Sequence, residues 1–182
     1  MRVFAFLLFF SIQLVAQNNE NSTKKRVTYS QQPKLTWESF KGFMPSNTDF
    51  AASVNTGIGF KWSYSTNQNK IDLQYEVESY VQPYFSWVDE NEKDVELLKH
   101  EQLHFDITEL FARKFRKRLD EYEFGRNIRK AMQKIHGDIE FERIQMQEAY
   151  DSETAHSKNE EQQLIWELKI AKLLKDFEAY SE

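Results

Sequence analysis

The 182-residue chain contains no cysteine and only three prolines and five glycines. The absence of cysteine excludes disulfide scaffolds, thiolate catalysis and cysteine-ligated zinc. Positive charge is not in surplus, because 29 Asp and Glu outnumber 24 Lys and Arg for a formal net charge of −5. Nucleic-acid binders neutralise phosphates with a cationic surplus, so no nucleic-acid partner is expected. Imidazole chemistry is restricted to four histidines, at positions 100, 104, 136 and 156.

The first sixteen residues have the pattern of a secretory signal peptide. Arg2 supplies the positive start, residues 3–10 are uninterrupted apolar sequence, and cleavage is expected after Ala16. The apolar run is short for a bilayer span, so stable membrane association after cleavage is not expected, although an uncleaved anchor is the alternative. Residues 17–34 predict a flexible polar leader, and residues 35–182 predict a single domain. A secreted or periplasmic protein is therefore expected.

The hydrophobic period changes along this domain. From residue 35 to 88, aromatic and β-branched residues are frequent, and the alternation from Ile71 to Val77 is typical of a half-buried strand. The preceding apolar run and a turn signal at residues 65–69 complete a predicted hairpin. From residue 90 the period is helical. Helices are predicted at about 94–122, 126–149 and 157–180. The expected fold class is therefore α+β, a small antiparallel sheet followed by three helices.

Two local patterns describe these helices further. Ser157 followed by Glu160 predicts a capping box at the start of the third helix. The basic run at residues 113–118 resembles a nucleic-acid patch, but it interrupts an apolar stripe on the first helix. It is therefore interpreted as a solvated basic face.

The string His100–Glu101–Gln102–Leu103–His104 fits the H-E-x-x-H pattern. Residues four apart lie one turn apart on a helical face, so both imidazoles can bind one metal ion. The histidines share an apolar stripe with Leu97 and Ile107 and are expected to point into the domain. A bound metal lowers the pKa of water, and Glu101 would take the proton as the water attacks a carbonyl. The pattern predicts a metal centre, with hydrogen-bonded core histidines as the alternative.

A catalytic zinc takes three protein ligands, so a third ligand must come from outside this string. His156 is the preferred prediction, because a break between helices can hold a ligand in place. Asp151 and Glu153 of the same segment are the carboxylate alternatives. His136 is a weaker candidate, since it lies in a charged helix whose expected role is a solvated face.

Other polar residues have candidate supporting roles. The phenol of Tyr150 is a candidate donor to the oxyanion of a tetrahedral intermediate, with packing at a helix end as its alternative role. Asp151 or Asp106 can accept the outer N–H of a liganding histidine and thereby set its tautomer.

Four strings together resemble an uncharacterised bacterial domain family that is described as predicted secreted zinc-dependent proteases. They are LTWESFKG at 35–42, SWV at 86–88, KHEQLHFDI at 99–107 and YDSETAH at 150–156. The resemblance covers about residues 35–166. It implies a zincin-like metalloprotease fold with His100 and His104 as ligands, Glu101 as the base and His156 as the third ligand.

These observations lead to one preferred function and two alternatives. The preferred function is an exported zinc-dependent metallopeptidase that binds a peptide or protein substrate as an added strand. One alternative is an exported, zinc-braced binding protein of the same fold without turnover. The other is a metal-dependent amidase that acts on cell-wall peptides.

Overall fold

A computed structural model describes residues 26–67, 70–125 and 127–182, so the predicted signal peptide lies outside the described residues. The described strands are β1 Val27–Thr28, β2 Ala52–Ser53, β3 Thr56–Asn67, β4 Lys70–Val81 and β5 Trp87–Val88. The described α-helices are α1 Val95–Glu121, α2 Ile128–Thr154 and α3 Glu160–Asp176. Short 3-10 helices lie at Trp37–Ser39, Pro83–Phe85 and Glu178–Tyr180. The predicted α+β class, with a small antiparallel sheet and three helices, is confirmed.

The larger sheet has the order β1-β4-β3 and is dominated by the β3–β4 hairpin. Its antiparallel register runs from Thr56 opposite Val81 to the residues beside the turn. β1 pairs with the other edge of β4, placing Val27 opposite Val81. Nearby, the Tyr29 hydroxyl donates to Oδ1 of Asp106 at 2.9 Å. The sequence predicts a flexible leader at residues 17–34. In the described part of this segment, the pairing of β1 with β4 and the Tyr29 bond attach the chain to the domain.

Helix α1 lies between two apolar clusters and contributes side chains to both. The larger cluster joins α1 to the hairpin, α2 and α3, and includes Phe111, Phe115, Ile139 and Ile170. The smaller one joins α1 to β2, β4 and β5, with Leu97 and the fully buried Phe105 as its α1 members. Because the helix is packed on both sides, its middle turns have little freedom to shift. The side chains of the H-E-x-x-H string are therefore carried on a rigid support.

The ends of the helices agree with the sequence to different degrees. α1 begins after Asp94, whose side chain accepts the Leu97 N–H at 2.7 Å, and it ends at Glu121 as predicted. α2 continues to Thr154, beyond its predicted end at residue 149. The predicted Ser157–Glu160 capping box is wrong, because Asn159 is the N-cap of α3 and its side chain accepts the Gln162 N–H at 3.2 Å.

The basic run at residues 113–118 is not simply a solvated face. Arg116 is buried, and its guanidinium donates to the carbonyls of Val77 and Tyr180. Arg113 donates to Glu109 and to the Leu174 carbonyl. These contacts attach the C-terminal residues to α1 and the sheet.

Charges are spread along the helices, and none of the described helices has the length and apolar character needed to cross a membrane.

The connection from α2 to α3 is a left-handed turn made without glycine. Ala155, His156 and Ser157 have φ angles of 49°, 52° and 72°, and they are the non-glycine residues with positive φ in the described chain. The Asp151 carbonyl accepts the His156 N–H at 3.0 Å. A left-handed conformation costs an L-residue about 1–2 kcal/mol, so this turn stores backbone strain.

Replacing Ala155 by glycine should stabilise the protein. Ala155 is exposed, and glycine adopts its φ of 49° without the Cβ clash, so the free energy of unfolding should rise by about 1 kcal/mol. Chemical denaturation measures the change. The matched control is Ala171→Gly in the exposed interior of α3, which should lower stability by about 1 kcal/mol. Equal destabilisation by both substitutions would contradict the strained turn.

Candidate metal centre

Three side-chain atoms from α1 and α2 converge at one point. They are Nε2 of His100, Nε2 of His104 and Oδ1 of Asp151. The two nitrogens are 3.3 Å apart, and the carboxylate oxygen is 3.2 Å from His100 and 3.0 Å from His104. Two facing helices therefore build the group, because the H-E-x-x-H turn supplies both imidazoles and the last turns of α2 supply the carboxylate.

This group can hold a metal ion. Ligand atoms about 2.0–2.1 Å from a tetrahedrally coordinated ion are separated by about 3.3–3.4 Å, close to the spacing of the three atoms here. Two imidazoles and one carboxylate are also a known ligand set for a catalytic divalent cation. The three described ligands are thus in place, and both their chemistry and their spacing fit a cation.

The outer nitrogens of both imidazoles donate to glutamine side chains. Nδ1 of His100 donates to Oε1 of Gln163 at 3.3 Å, and Nδ1 of His104 donates to Oε1 of Gln147. These bonds direct the Nε2 atoms of both rings toward the site. Neither carboxylate predicted for this role fills it, because Asp151 lies on the inner side and Asp106 accepts from Tyr29 and Gln102.

Tyr150 forms the floor of the group. It is fully buried, and its ring stacks on His100 at 4.6 Å and meets His104 edge-on at 4.9 Å between centroids. Its hydroxyl donates to Oε1 of Gln163 at 2.6 Å, and burial raises the pKa of this phenol well above its ordinary value. The predicted oxyanion donor therefore has its O–H committed beneath the histidines, and the geometry supports its alternative packing role.

Glu101 is buried beside the histidines and is held by the backbone next to β2. Its Oε2 accepts the Val54 N–H at 2.7 Å, which leaves Oε1 to accept from a group in the cleft. Burial raises the pKa of this carboxyl, although the charges of His104 and His100 and the Val54 bond oppose the shift. A carboxyl with a raised pKa is better suited to take and return a proton than one with an ordinary pKa.

The other predicted ligands lie outside the converging group. Nδ1 of His156 is 3.6 Å from Oδ1 of Asp151, but it is not among the ligand atoms that lie within 4.8 Å of one another. Glu153 accepts from Nε1 of Trp166 at 2.8 Å. His136 is half-buried and stacks on Phe60 at 5.8 Å, so it is neither a ligand here nor fully solvated. Among the alternatives, the geometry favours Asp151 as the third ligand.

The carboxylate and the imidazoles of the group shift each other's pKa. Burial opposes ionisation of Asp151, but hydrogen bonds with His100 and His104 hold the pKa of its carboxyl well below the ordinary value. Burial lowers the pKa of His104, but the Asp151 hydrogen bond and the Glu101 charge outweigh it and raise this pKa. A cation that binds these atoms competes with protons for them, so metal binding should release protons.

The group lies in a cleft of about 1060 Å³. Residues 48–56, which include β2, form one wall, and the exposed faces of α1 and α2 form the opposite wall. The left-handed turn contributes His156 at the rim, where its ring contacts Phe50 across the cleft at 4.9 Å between centroids. The three converging atoms therefore line a cleft that is open to solvent.

Sequence reasoning missed the two glutamines and undervalued Asp151. Gln147 and Asp151 are four residues apart and lie on one face of α2, which is a signal that the sequence does contain. This pairing can be recognised only if α2 is predicted to continue past residue 149. Gln163 carries no such signal, because its position depends on how α3 packs back against α1.

In the comparisons with known proteins, part of the chain is similar to an uncharacterised bacterial family. A family model described as "Bacterial protein of unknown function (DUF922)" matches residues 87–157. This segment contains the H-E-x-x-H string and the Asp151 to His156 region, and it excludes the string at 35–42. The resemblance to an uncharacterised bacterial domain family is thereby confirmed over this segment, and the description assigns no activity. No curated protein and no solved structure matches the chain.

Loss of the Gln147 side chain should weaken metal binding without removing a ligand. Gln147→Ala deletes the acceptor that orients His104, and losses of this kind lower metal affinity about 10- to 100-fold. Competition of Zn²⁺ or Co²⁺ between the protein and a chromogenic chelator measures the affinity. Gln145→Ala, on the exposed side of the same helix, is the control and should bind like the unmodified protein. Equal affinities for both variants would contradict the role of Gln147.

Proposed function

We propose that this protein is a zinc-dependent metallopeptidase. The observation that carries the proposal is the convergence of His100, His104 and Asp151 beside the buried carboxylate of Glu101, inside an open cleft. Two imidazoles, one carboxylate and a neighbouring glutamate are the residue types that hydrolytic zinc sites use. The arrangement of α1 under a cleft bordered by an edge strand supports a zincin-like identity for the fold.

The chemistry would be divided between the ion and Glu101. A bound zinc ion supplies Lewis acidity, which lowers the pKa of water and polarises a carbonyl group. Oε1 of Glu101 accepts the proton of the attacking water as the new C–O bond forms. The same oxygen returns the proton to the nitrogen of the leaving amine as the C–N bond breaks. The Val54 bond to Oε2 holds the carboxylate in place during both transfers.

The backbone of β2 supports an extended peptide as the substrate. The Asp89 N–H bonds to the Ala51 carbonyl at 2.7 Å, and Ala52 lies opposite Val88 in the register. Since bonded positions alternate along an antiparallel strand, the backbone groups of Ala52 point away from β5 and toward the cleft. A peptide strand can pair with this edge, which would place one of its carbonyls near Glu101.

Replacing Glu101 with glutamine should abolish hydrolysis and leave the metal bound. The amide keeps the size of the side chain but cannot accept the proton, so cleavage should fall by about 10²–10⁴-fold. Cleavage of a mixed peptide library by the zinc-loaded protein is followed by mass spectrometry, and zinc content is measured by elemental analysis.

Asp151→Asn is the contrasting variant in the same experiment. It removes a charged ligand, so both zinc content and cleavage should fall. Glu101→Gln cleaving as fast as the unmodified protein would refute the base assignment. Full zinc occupancy without cleavage of any peptide by the unmodified protein would refute the peptidase and favour the zinc-braced binding protein.

Export completes the proposal, and it rests on residues 1–16 alone. If these residues are a cleaved signal, the protein expressed in a bacterium with an outer membrane should appear outside the cytoplasm with Gln17 as its first residue. N-terminal mass spectrometry of the fractionated protein measures this. A protein that keeps Met1 and sediments with membranes would instead indicate an uncleaved anchor.

A further inference from the structure

The rim of the cleft carries a histidine whose position is maintained at a cost in backbone strain. His156 lies in the middle of the three left-handed residues, with a φ of 52°. Its side chain is 51% exposed and lines the cleft. Strain of this kind persists where the surrounding structure and the function require it. The strained turn therefore points to a role for this imidazole when the cleft is filled.

Two contacts orient this imidazole toward the metal centre. Nδ1 is 3.6 Å from Oδ1 of Asp151, which is a ligand atom of the group. On its other side the ring meets the exposed Phe50 in an edge-on contact at 4.9 Å between centroids. Nδ1 consequently lies near one of the converging atoms, and the residue lines the cleft. His156 is therefore not a member of the ligand group, but its Nδ1 lies close to one of the ligand atoms.

We propose that His156 is a catalytic residue that donates a hydrogen bond from Nδ1–H to the oxygen of the substrate carbonyl as that oxygen acquires negative charge. This inference rests on the proposed function and adds a second side chain to it. A donor stabilises such an oxygen at a separation of about 2.7–3.1 Å. An oxygen placed beside Oδ1 of Asp151 lies within that reach of Nδ1. His156, which is exposed at the rim, thus replaces the buried Tyr150 phenol as the proposed donor to the oxyanion.

A neutral imidazole is sufficient for this role. The tautomer with its proton on Nδ1 is a donor, so no change of protonation accompanies the reaction at His156. The water proton goes to Glu101 and then to the leaving amine, as described above. His156 keeps its own proton throughout, and only the strength of its hydrogen bond changes.

Two substitutions at position 156 separate the donor role from the others. Asparagine tolerates a left-handed backbone and carries an N–H at the same distance along the side chain as Nδ1, whereas alanine carries no donor. His156→Ala should reduce kcat of the zinc-loaded protein by about 10²–10³-fold with little change in KM. His156→Asn should recover most of the loss. Ser152→Ala, an exposed change in the last turn of α2, is the control and should match the unmodified protein.

Two further measurements do not depend on turnover. Zinc affinity should be the same in the unmodified protein, His156→Ala and His156→Asn, because the ligands are unchanged. Binding of a phosphinic tripeptide, whose tetrahedral anionic centre mimics the charged oxygen, should weaken about 10- to 100-fold in His156→Ala, a loss comparable to that of an oxyanion donor. Isothermal titration calorimetry measures the zinc affinity with the metal-free proteins and the phosphinic peptide affinity with the zinc-loaded proteins.

Each alternative outcome overturns the inference for a stated reason. Loss of zinc affinity in both variants would make His156 a ligand, as the sequence predicted. Unchanged phosphinic peptide affinity in His156→Ala would show that no donor acts there. Equal losses in His156→Ala and His156→Asn would indicate a structural role. If the phosphinic peptide discriminates as expected but no peptide is cleaved, only the proposed peptidase function fails.

Discussion

The packing of Tyr150 beneath two imidazoles is the contact on which the candidate site depends. Its ring touches both His100 and His104, and its hydroxyl bonds to Gln163 of α3. One buried side chain thus fixes the separation of α1, α2 and α3 at the level of the H-E-x-x-H string. Asp151 follows Tyr150 directly in α2, so the same contact that supports the histidines also brings the carboxylate to them. A change in this packing would alter all three ligand positions together.

The parts of the site that were predictable are those encoded by short-range pattern. The i, i+4 spacing of His100 and His104 on an apolar stripe predicted an inward-facing pair, and the helical period predicted α1 nearly to the residue. The alternation from Ile71 to Val77 is another short-range pattern, and it predicted β4. In each case one local rule determines the conformation, and the tertiary structure does not oppose it.

The parts that were missed depend on tertiary contacts or on strain. No proline or glycine marks the end of α2, and the helix ends in a left-handed turn at Ala155, where a glycine would have been a signal. A helix that ends at residue 149 leaves Asp151 outside it, so the prediction does not show that Gln147 and Asp151 share a face. The same predicted break between helices favoured His156 as the ligand. Arg116 was misjudged for a related reason, since its burial depends on the Val77 and Tyr180 carbonyls, which only the folded chain brings to α1.

The site combines a rigid floor with an exposed rim, and the two have different physical requirements. The floor holds three candidate ligand atoms about 3.0–3.3 Å apart, and it is built from buried rings and fully bonded amides. The rim is open to solvent, and Phe50 and His156 meet there through an exposed ring contact. The left-handed turn connects the buried floor to this rim. It ends α2 within one turn of Asp151 and places an imidazole at the cleft, whereas a glycine at position 156 would relieve the strain and lose the side chain that lines the cleft.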